Sequence, residues 1–217
     1  MTTEFIAEFV QEHKIVAICR KIYGDDLRNL ACALSRGGVR MIEVTFDQAD
    51  PEHLERTAEA IELITQATGG TVLAGAGTVM TEEQLLTAAK AGAKYIISPN
   101  TDEQIIRKTK ELGLVSIPGA MTPSEIASAH KWGADFVKLF PTGQLGLDYI
   151  KAIMAPISHV KLVATGGVNE ENLPAYLAAG MAGAGISGRL TDKKLIEAGN
   201  FEEIERRAAV FAAIARG

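Results

Sequence analysis

Short runs of apolar and β-branched residues alternate with longer segments of helical periodicity along the whole chain. Eight runs predict strands, at residues 14–19, 41–45, 71–74, 95–98, 115–118, 136–140, 160–164 and 183–186. The segments between them predict helices, among them residues 25–36, 51–65, 81–91, 102–112, 123–131 and 170–179. Further helical segments precede the first strand at residues 1–12 and follow the last at residues 195–198 and 201–216. This alternation predicts a parallel sheet with helices outside it.

Capping signals mark the starts and ends of several predicted helices. Thr122, Pro123 and Glu125 match a capping box with proline at the first helical position, and Thr81 begins a similar pattern. Several helices are predicted to end at a glycine before the next strand, as at Gly92. These boundaries support a series of successive β/α units.

Eight β/α units in 217 residues predict a single domain, residues 1–217, folded as a compact (β/α)8 TIM barrel with an extra N-terminal helix. A doubly wound open sheet is the alternative. We favour the barrel because no GxGxxG sequence follows the first strand and no second domain is indicated.

Charge and cysteine content narrow the function classes. A net charge of −5 argues against a nucleic-acid or anionic membrane surface as the main partner. Cys19 and Cys32 form no CxxC pair, and no His/Cys cluster has metal spacing, so we expect reduced thiols, no metal and no cofactor. No run approaches the ~18 apolar residues of a membrane span, and the acidic first segment lacks a signal-peptide pattern. We therefore expect a cytoplasmic protein that acts on a small molecule.

Lys138 lies in a predicted strand that is otherwise apolar, DFVKLFP at residues 135–141. A strand buried on both faces is nearly all apolar, and burial of an ammonium lowers its pKa toward neutrality. A neutral amine is a nucleophile that forms a Schiff base with a ketone. The alternative is a lysine at a strand end whose ammonium extends to water.

Glu43 is the second candidate, because strand periodicity places it on the inner face of the barrel. Met41, Glu43 and Thr45 share one face of their strand, and Lys138 shares a face with Phe136 in another. An inward carboxylate and an inward lysine suit acid–base and nucleophilic chemistry. A buried structural salt bridge is the alternative interpretation of the same pair.

Two glycine-containing loops follow the seventh and eighth predicted strands. Gly166 and Gly167 end the seventh, and Ser187 and Gly188 end the eighth. Barrels often bind phosphate between these two loops through backbone N–H groups, and glycine permits close approach to the anion. Ordinary turn glycines are the alternative in a chain with 21 glycines.

Several stretches, taken together and in order, resemble the class I 2-keto-3-deoxy-6-phosphogluconate (KDPG) / 4-hydroxy-2-oxoglutarate (KHG) aldolase family. The resemblance covers essentially the whole chain. It is carried by GVRMIEVT (38–45), GAGTV (75–79), ISP (97–99), IPG (117–119), FVKLFP (136–141) and TGGV (165–168).

This resemblance implies a retro-aldol cleavage that releases pyruvate and needs no metal. The Lys138 amine would attack the C2 ketone of a 2-keto-4-hydroxy acid, and Glu43 would move the protons. Thr78 and nearby backbone N–H groups would hold the pyruvate carboxylate, while Pro99 and Phe140 would pack against the pyruvyl group. The resemblance also implies a homotrimer.

Two positions depart from the family pattern. Members specific for the gluconate-derived substrate commonly have arginine where this chain has Asp47, and an aspartate there would repel a substrate carboxylate. Arg20, at the end of the first strand, is the best local substitute, with Thr45 as a further substrate-binding candidate. Arg189 replaces a large apolar residue near the glycine loops, where it either strengthens phosphate binding or is a surface charge.

Two other functions stay open at this point. One is another phosphate-binding barrel enzyme, metal-dependent or not, such as a sugar-phosphate epimerase or a thiamine-phosphate synthase-like enzyme, since many barrels share this phosphate site. The other is a non-catalytic relative that binds pyruvate.

Overall fold

The computed structural model describes residues 1–217 and contains nine strands and ten helices. The strands are β1 (Ile15–Cys19), β2 (Met41–Thr45), β3 (Leu73–Gly77), β4 (Tyr95–Ile97), β5 (Val115–Ile117), β6 (Gly119–Ala120), β7 (Val137–Leu139), β8 (Leu162–Thr165) and β9 (Gly183–Ile186). The helices are α1 (Thr3–His13), α2 (Gly24–Arg36), α3 (His53–Ala67), α4 (Glu82–Lys90), α5 (Glu103–Glu111), α6 (Pro123–Lys131), α7 (Thr142–Met154), α8 (Leu173–Ala178), α9 (Lys193–Glu197) and α10 (Phe201–Arg216).

All strand pairs are parallel, in the order β5-β4-β3-β2-β1-β9-β8-β7-β6. The fifth strand position holds two short strands separated at Pro118, which has no N–H to donate, and the second of them, β6, lies beyond the predicted end at residue 118. The first of the two, β5, pairs with β4, and the second, β6, pairs with β7. The amide of Lys138 also donates to the Pro118 carbonyl at 2.8 Å. The sheet therefore closes around eight strand positions, which confirms the predicted TIM barrel.

Two apolar layers hold the barrel. The larger one lies between the sheet and the helices, and includes Ile42 and Val44. The smaller one fills the barrel interior, and includes Met41 and Phe136. Ile6 of α1 belongs to the interior layer, so the predicted N-terminal helix covers one end of the barrel. The inward and outward faces predicted for β2 are confirmed by this division.

Several boundaries differ from the predicted ones, and two of them have a clear physical reason. β3 extends to Gly77, three residues beyond the predicted end, because glycines there leave room for large inward side chains. α8 begins at Leu173 rather than 170, because the Asn169 side chain accepts hydrogen bonds from the amides of Glu171 and Asn172 and forms a turn first. In addition, α7, which contains a non-helical Gly146, lies in a segment that the sequence patterns do not predict as helical.

Candidate active site

Glu43 and Lys138 both lie inside the barrel, in β2 and β7, and are 1% and 5% exposed. They form no ion pair with each other, and no protein group donates a hydrogen bond to the Glu43 carboxylate. A buried salt bridge is therefore not what the fold forms here. The two groups are available for a third partner, which a catalytic pair requires.

Burial shifts the pKa values of Glu43 and Lys138 in the directions that favour their neutral forms. Desolvation raises the pKa of the Glu43 carboxyl, and the positive charges of Lys138 and Arg20 oppose that rise. Desolvation lowers the pKa of the Lys138 amine; the Glu43 charge opposes the shift and the Arg20 charge adds to it. The site thus favours an uncharged amine beside a carboxyl group that can give and take a proton.

The surroundings of Lys138 are aromatic and closely packed. Its Nζ atom lies 5.2 Å from the centroid of the Phe140 ring, which is 37% exposed. The same ring packs against Gly166, where a Cβ atom would lie 3.1 Å from ring carbons. Pro99 lies against Gly119, the β6 residue in register with Lys138, since a Cβ atom on Gly119 would lie 2.4 Å from the Pro99 carbonyl oxygen. Lys138, Phe140, Pro99 and Gly166 are therefore neighbours around one end of the barrel.

Glu43 requires a glycine on the adjacent strand. A Cβ atom at Gly77 would lie 1.7 Å from Glu43 Oε1, so no other residue fits opposite this carboxylate in its present position. Thr78 follows with a positive φ of 57°, and its carbonyl accepts a hydrogen bond from Gln48 Nε2 at 3.0 Å. Gly77 is not among the predicted site residues, because it lies beyond the predicted end of this strand at residue 74. A glycine inside a strand is a signal of close approach.

The ends of β1 and β2 are joined by two contacts. Thr45 Oγ1 donates to the Cys19 carbonyl at 3.2 Å. Lys21 Nζ lies 2.7 Å from Asp47 Oδ2, and the hydrogen bond from Lys21 lowers the pKa of Asp47. Arg20 lies between these contacts and is exposed. The Asp47 carboxylate is therefore already paired with a cation, a contact that the separate sequence positions of Lys21 and Asp47 did not indicate.

Arg20 shares a cavity with one of the two predicted phosphate loops. This cavity has a volume of about 390 Å³ and is lined by Ile18, Arg20, Ser187, Gly188, Thr191, Asp192 and Lys193. Gly166 and Gly167 do not line it. They have φ values of 86° and 77°, and the Gly166 carbonyl accepts a hydrogen bond from Gly143 at 2.7 Å. The structure thus groups Arg20 with Ser187 and Gly188, and Gly166 with Phe140.

Arg189 is bound by Glu170. Its guanidinium donates to both carboxylate oxygens at 2.8–3.1 Å. Glu170 follows β8 and Arg189 follows β9, so this pair joins the two glycine loops. Sequence reasoning missed this contact, which leaves Arg189 neither a free surface charge nor an unoccupied anion ligand.

Another cavity lies away from these groups. It measures about 480 Å³ and is lined by Tyr23, Gly24, Arg56, Glu59, Ala60 and Leu63, between α2 and α3. We place the candidate chemistry at the strand ends instead, because the buried titratable pair is there.

No group of three or more His, Cys, Asp or Glu side chains is arranged to hold a metal ion. None of the helices has the length and apolar character needed to cross a membrane.

Known proteins match this chain over most of its length. A family model described as KDPG and KHG aldolase matches residues 6–207. A 2-dehydro-3-deoxy-phosphogluconate aldolase of Haemophilus influenzae is 33% identical over 206 residues, 94% of each chain. A 2-dehydro-3-deoxy-6-phosphogalactonate aldolase of Escherichia coli is 35% identical over 178 residues, 81% of this chain and 83% of the relative.

A solved structure extends the match to the fold. It is a KDPG aldolase from Legionella pneumophila, with pyruvate captured at low pH as a covalent carbinolamine intermediate. It superposes with a TM-score of 0.83 at 26% identity, covering 94% of this chain and 97% of that one. The chain therefore belongs to the KDPG and KHG aldolase family, and its relatives are named as aldolases, which are carbon–carbon lyases.

Proposed function

We propose that this protein is a class I aldolase that cleaves a 2-keto-3-deoxy-6-phospho sugar acid, or 4-hydroxy-2-oxoglutarate, to pyruvate and an aldehyde. The observation that carries the proposal is the buried, unpaired Glu43 and Lys138 in one barrel. A lowered lysine pKa supplies the neutral amine that imine formation requires. The covalent pyruvate adduct described for the Legionella relative supports the same chemistry here.

In the proposed mechanism, Lys138 Nζ attacks the C2 carbonyl carbon and forms a carbinolamine. Glu43, whose pKa is raised, protonates the C2 hydroxyl, which leaves as water and gives the protonated imine. The resulting Glu43 carboxylate then accepts the C4 hydroxyl proton. The C3–C4 bond breaks, its electrons move into the imine as an enamine, and the aldehyde departs. Protonation of C3 by Glu43 and hydrolysis of the imine release pyruvate and restore Lys138.

The remaining candidates bind the two ends of the substrate in this proposal. Thr45 and Thr78 act on the pyruvate carboxylate, with Pro99 and Phe140 against the pyruvyl group. Arg20, which the sequence assigned to the carboxylate, binds an anionic group of the substrate from the cavity it shares with Ser187 and Gly188. Backbone N–H groups in the two glycine loops bind the phosphate, at Gly166, Gly167, Ser187 and Gly188. The cavity next to Arg20 supports the position of the second loop.

The proposal includes a homotrimer. Met80 and Met121 follow β3 and β6 and are 44% and 45% exposed. Exposed large apolar side chains of this kind favour a subunit contact near the loops. Light scattering after size-exclusion chromatography should give three times the chain mass of 23.1 kDa, and a monomer would contradict this part of the proposal.

Borohydride reduction in the presence of pyruvate tests the mechanism directly. We expect one stable adduct on Lys138 by peptide mass spectrometry, and turnover of one or more 2-keto-4-hydroxy acids. An adduct on another lysine, or full turnover in Lys138→Ala, would refute the assignment. If substrate is turned over without an adduct, and a chelator abolishes that turnover, the result would favour a metal-dependent enzyme. If pyruvate binds but no substrate is turned over, the result would favour a binding protein.

A panel of phosphorylated and unphosphorylated substrates tests which aldehyde is released and whether the substrate must carry a phosphate. It includes the gluconate and galactonate epimers, because relatives named for each match this chain at 33% and 35% identity. If the loops bind phosphate as proposed, the phosphorylated sugar acids will have the higher kcat/KM. Equal kcat/KM with and without phosphate would restrict the proposal to the short 2-keto-4-hydroxy acid.

A further inference from the structure

The turn after β1 has an unusual backbone at Lys21. Its φ is 56°, in the left-handed region that a lysine rarely adopts. Arg20, immediately before it, lines the cavity of about 390 Å³ described above. Two consecutive cations therefore serve different neighbours, since Arg20 lies at the cavity and Lys21 pairs with Asp47 at 2.7 Å.

Arg20 is held from both sides by contacts with the end of β2. On one side, the Cys19 carbonyl accepts the Thr45 hydroxyl hydrogen bond at 3.2 Å. On the other, Lys21 is bound by Asp47. Asp47 is fixed in turn, because its Oδ1 atom accepts the Ala49 amide at 3.3 Å. These contacts tie the residues on either side of Arg20 to the end of β2.

Stability alone is a poor reason for the Lys21–Asp47 pair. The Lys21 side chain is 59% exposed, and exposed ion pairs contribute little to folding. The left-handed lysine itself is unfavourable. Strain that persists beside a functional cavity suggests that the conformation serves the site.

We propose that Asp47 is a positioning residue that holds Lys21, and through Lys21 the turn that orients the Arg20 guanidinium into the cavity beside Ser187 and Gly188, toward an anionic group of the substrate. This inference rests on the proposed aldolase function. It also accounts for an aspartate so close to an anionic substrate. Arg20, Lys21 and Asp47 together carry one net positive charge, so the Asp47 carboxylate is neutralised before substrate arrives.

The variant Asp47→Asn separates this inference from simple charge repulsion, because the two predict opposite signs. If Asp47 positions Arg20, KM for the 2-keto-4-hydroxy acid should rise about fivefold or more, with kcat changed less than about twofold. If Asp47 only repels the substrate carboxylate, its neutralisation should lower KM. A lowered or unchanged KM overturns the inference.

A double-mutant cycle tests whether Asp47 acts through Arg20. In an Arg20→Met background, Asp47→Asn should add almost nothing to the rise in KM, because the group it positions is gone. Additive effects would show that Asp47 acts independently and would overturn the inference. Glu205→Gln is the matched control: it breaks the exposed Arg36–Glu205 pair, 2.6 Å long and on helices α2 and α10, and should leave KM unchanged.

Borohydride trapping of the parent protein distinguishes a failure of the Asp47 positioning role from a failure of the proposed aldolase function. A parent that yields the Lys138 adduct and turns over substrate, combined with an unchanged KM in Asp47→Asn, refutes the positioning role alone. A parent that yields neither refutes the aldolase function, and the positioning role with it.

Discussion

The side chain of Lys138 is the clearest case of a residue whose surroundings work against its ordinary charge. It is 5% exposed, it lies beside the Phe140 ring, and it has no partner carboxylate in contact. Such a group reduces the stability of the fold, because the apolar interior solvates an ammonium poorly. The role proposed for Lys138 as a nucleophile accounts for a residue that is unfavourable to stability.

Replacing Lys138 should therefore trade activity for stability. We expect Lys138→Met to lower kcat by at least about 10³-fold and to raise the free energy of unfolding by about 1 kcal/mol or more at neutral pH. Turnover assays and urea unfolding provide the two measurements. Lys151→Met, at an exposed position of α7, is the control, and a less stable Lys138→Met protein would contradict the argument.

The pH dependence of the imine formation proposed above should report the pKa of the Lys138 amine. Its pKa is lowered from 10.5, and the reactive form is the neutral amine, so the rate should rise with pH and reach half its maximum below pH 10.5. The Glu43 charge raises this pKa, so Glu43→Gln should move the midpoint to lower pH. Aliquots quenched with borohydride give the rate, and a midpoint that moves upward would be incompatible with this account.

At the scale of elements, β2 and β3 pack together because Gly77 on β3 has no side chain and leaves room for the Glu43 side chain on β2. The carboxylate of Glu43 occupies the volume that a Cβ atom at this position would need. The register of these strands, with Glu43 opposite Gly75 and Thr45 opposite Gly77, brings the long side chain of one strand across the bare backbone of the other. Packing, rather than turn formation, is the reason for glycine here.

Gly77→Ala should be harmful only while Glu43 is present. Overpacking costs about 1–3 kcal/mol, and displacement of the carboxylate should also lower kcat. In a Glu43→Ala background the clashing atoms are gone, so the same substitution should cost much less. Thermal unfolding of the four proteins measures the difference, and an equal cost in both backgrounds would show that the clash is not the cause.

Strand and helix patterns predicted much of this architecture, and the errors concern single strand ends and contacts between separate loops. Alternation in β2 was enough to place Glu43 inside, because two neighbouring apolar residues had to face the helices. The end of β3 was wrong because glycines resemble a loop when the side chains that fill their space lie on other strands. Lys21–Asp47 and Glu170–Arg189 were missed because each pair joins separate loops that only the closed barrel brings together.

At the scale of the whole molecule, the barrel interior changes character along its axis. Apolar side chains and helix α1 fill one end, and Glu43 and Lys138 lie toward the other. This arrangement follows from parallel strands, whose carboxyl ends meet at one face. The fold class could be predicted from alternation alone, whereas the division at Pro118 depends on which neighbour each half of the strand meets.

The free energy of unfolding of the whole protein should depend on pH through the titration of Glu43. Its pKa is raised in the folded state, so the folded protein binds the proton more tightly, and stability falls as pH rises from 4.5 through the raised value. Glu43→Gln removes this loss. Its melting temperature relative to the parent should increase across that window and change little below it.

Calorimetry from acid to alkaline pH measures this difference. Glu62→Gln, on the exposed surface of α3, shows how much the loss of any carboxylate contributes. If the Glu43→Gln difference is constant with pH, or decreases as pH rises, burial of the carboxyl does not dominate its energetics.

The contact between Glu43 and Gly77 also has a consequence for how this sequence can change over generations. A larger residue at 77 fits only after residue 43 has been shortened, and a shortened residue 43 removes the proposed proton carrier. Single substitutions at position 77 therefore pass through an impaired protein. Descendants that keep the chemistry should keep both residues, and those that lose the carboxylate are free to fill the glycine.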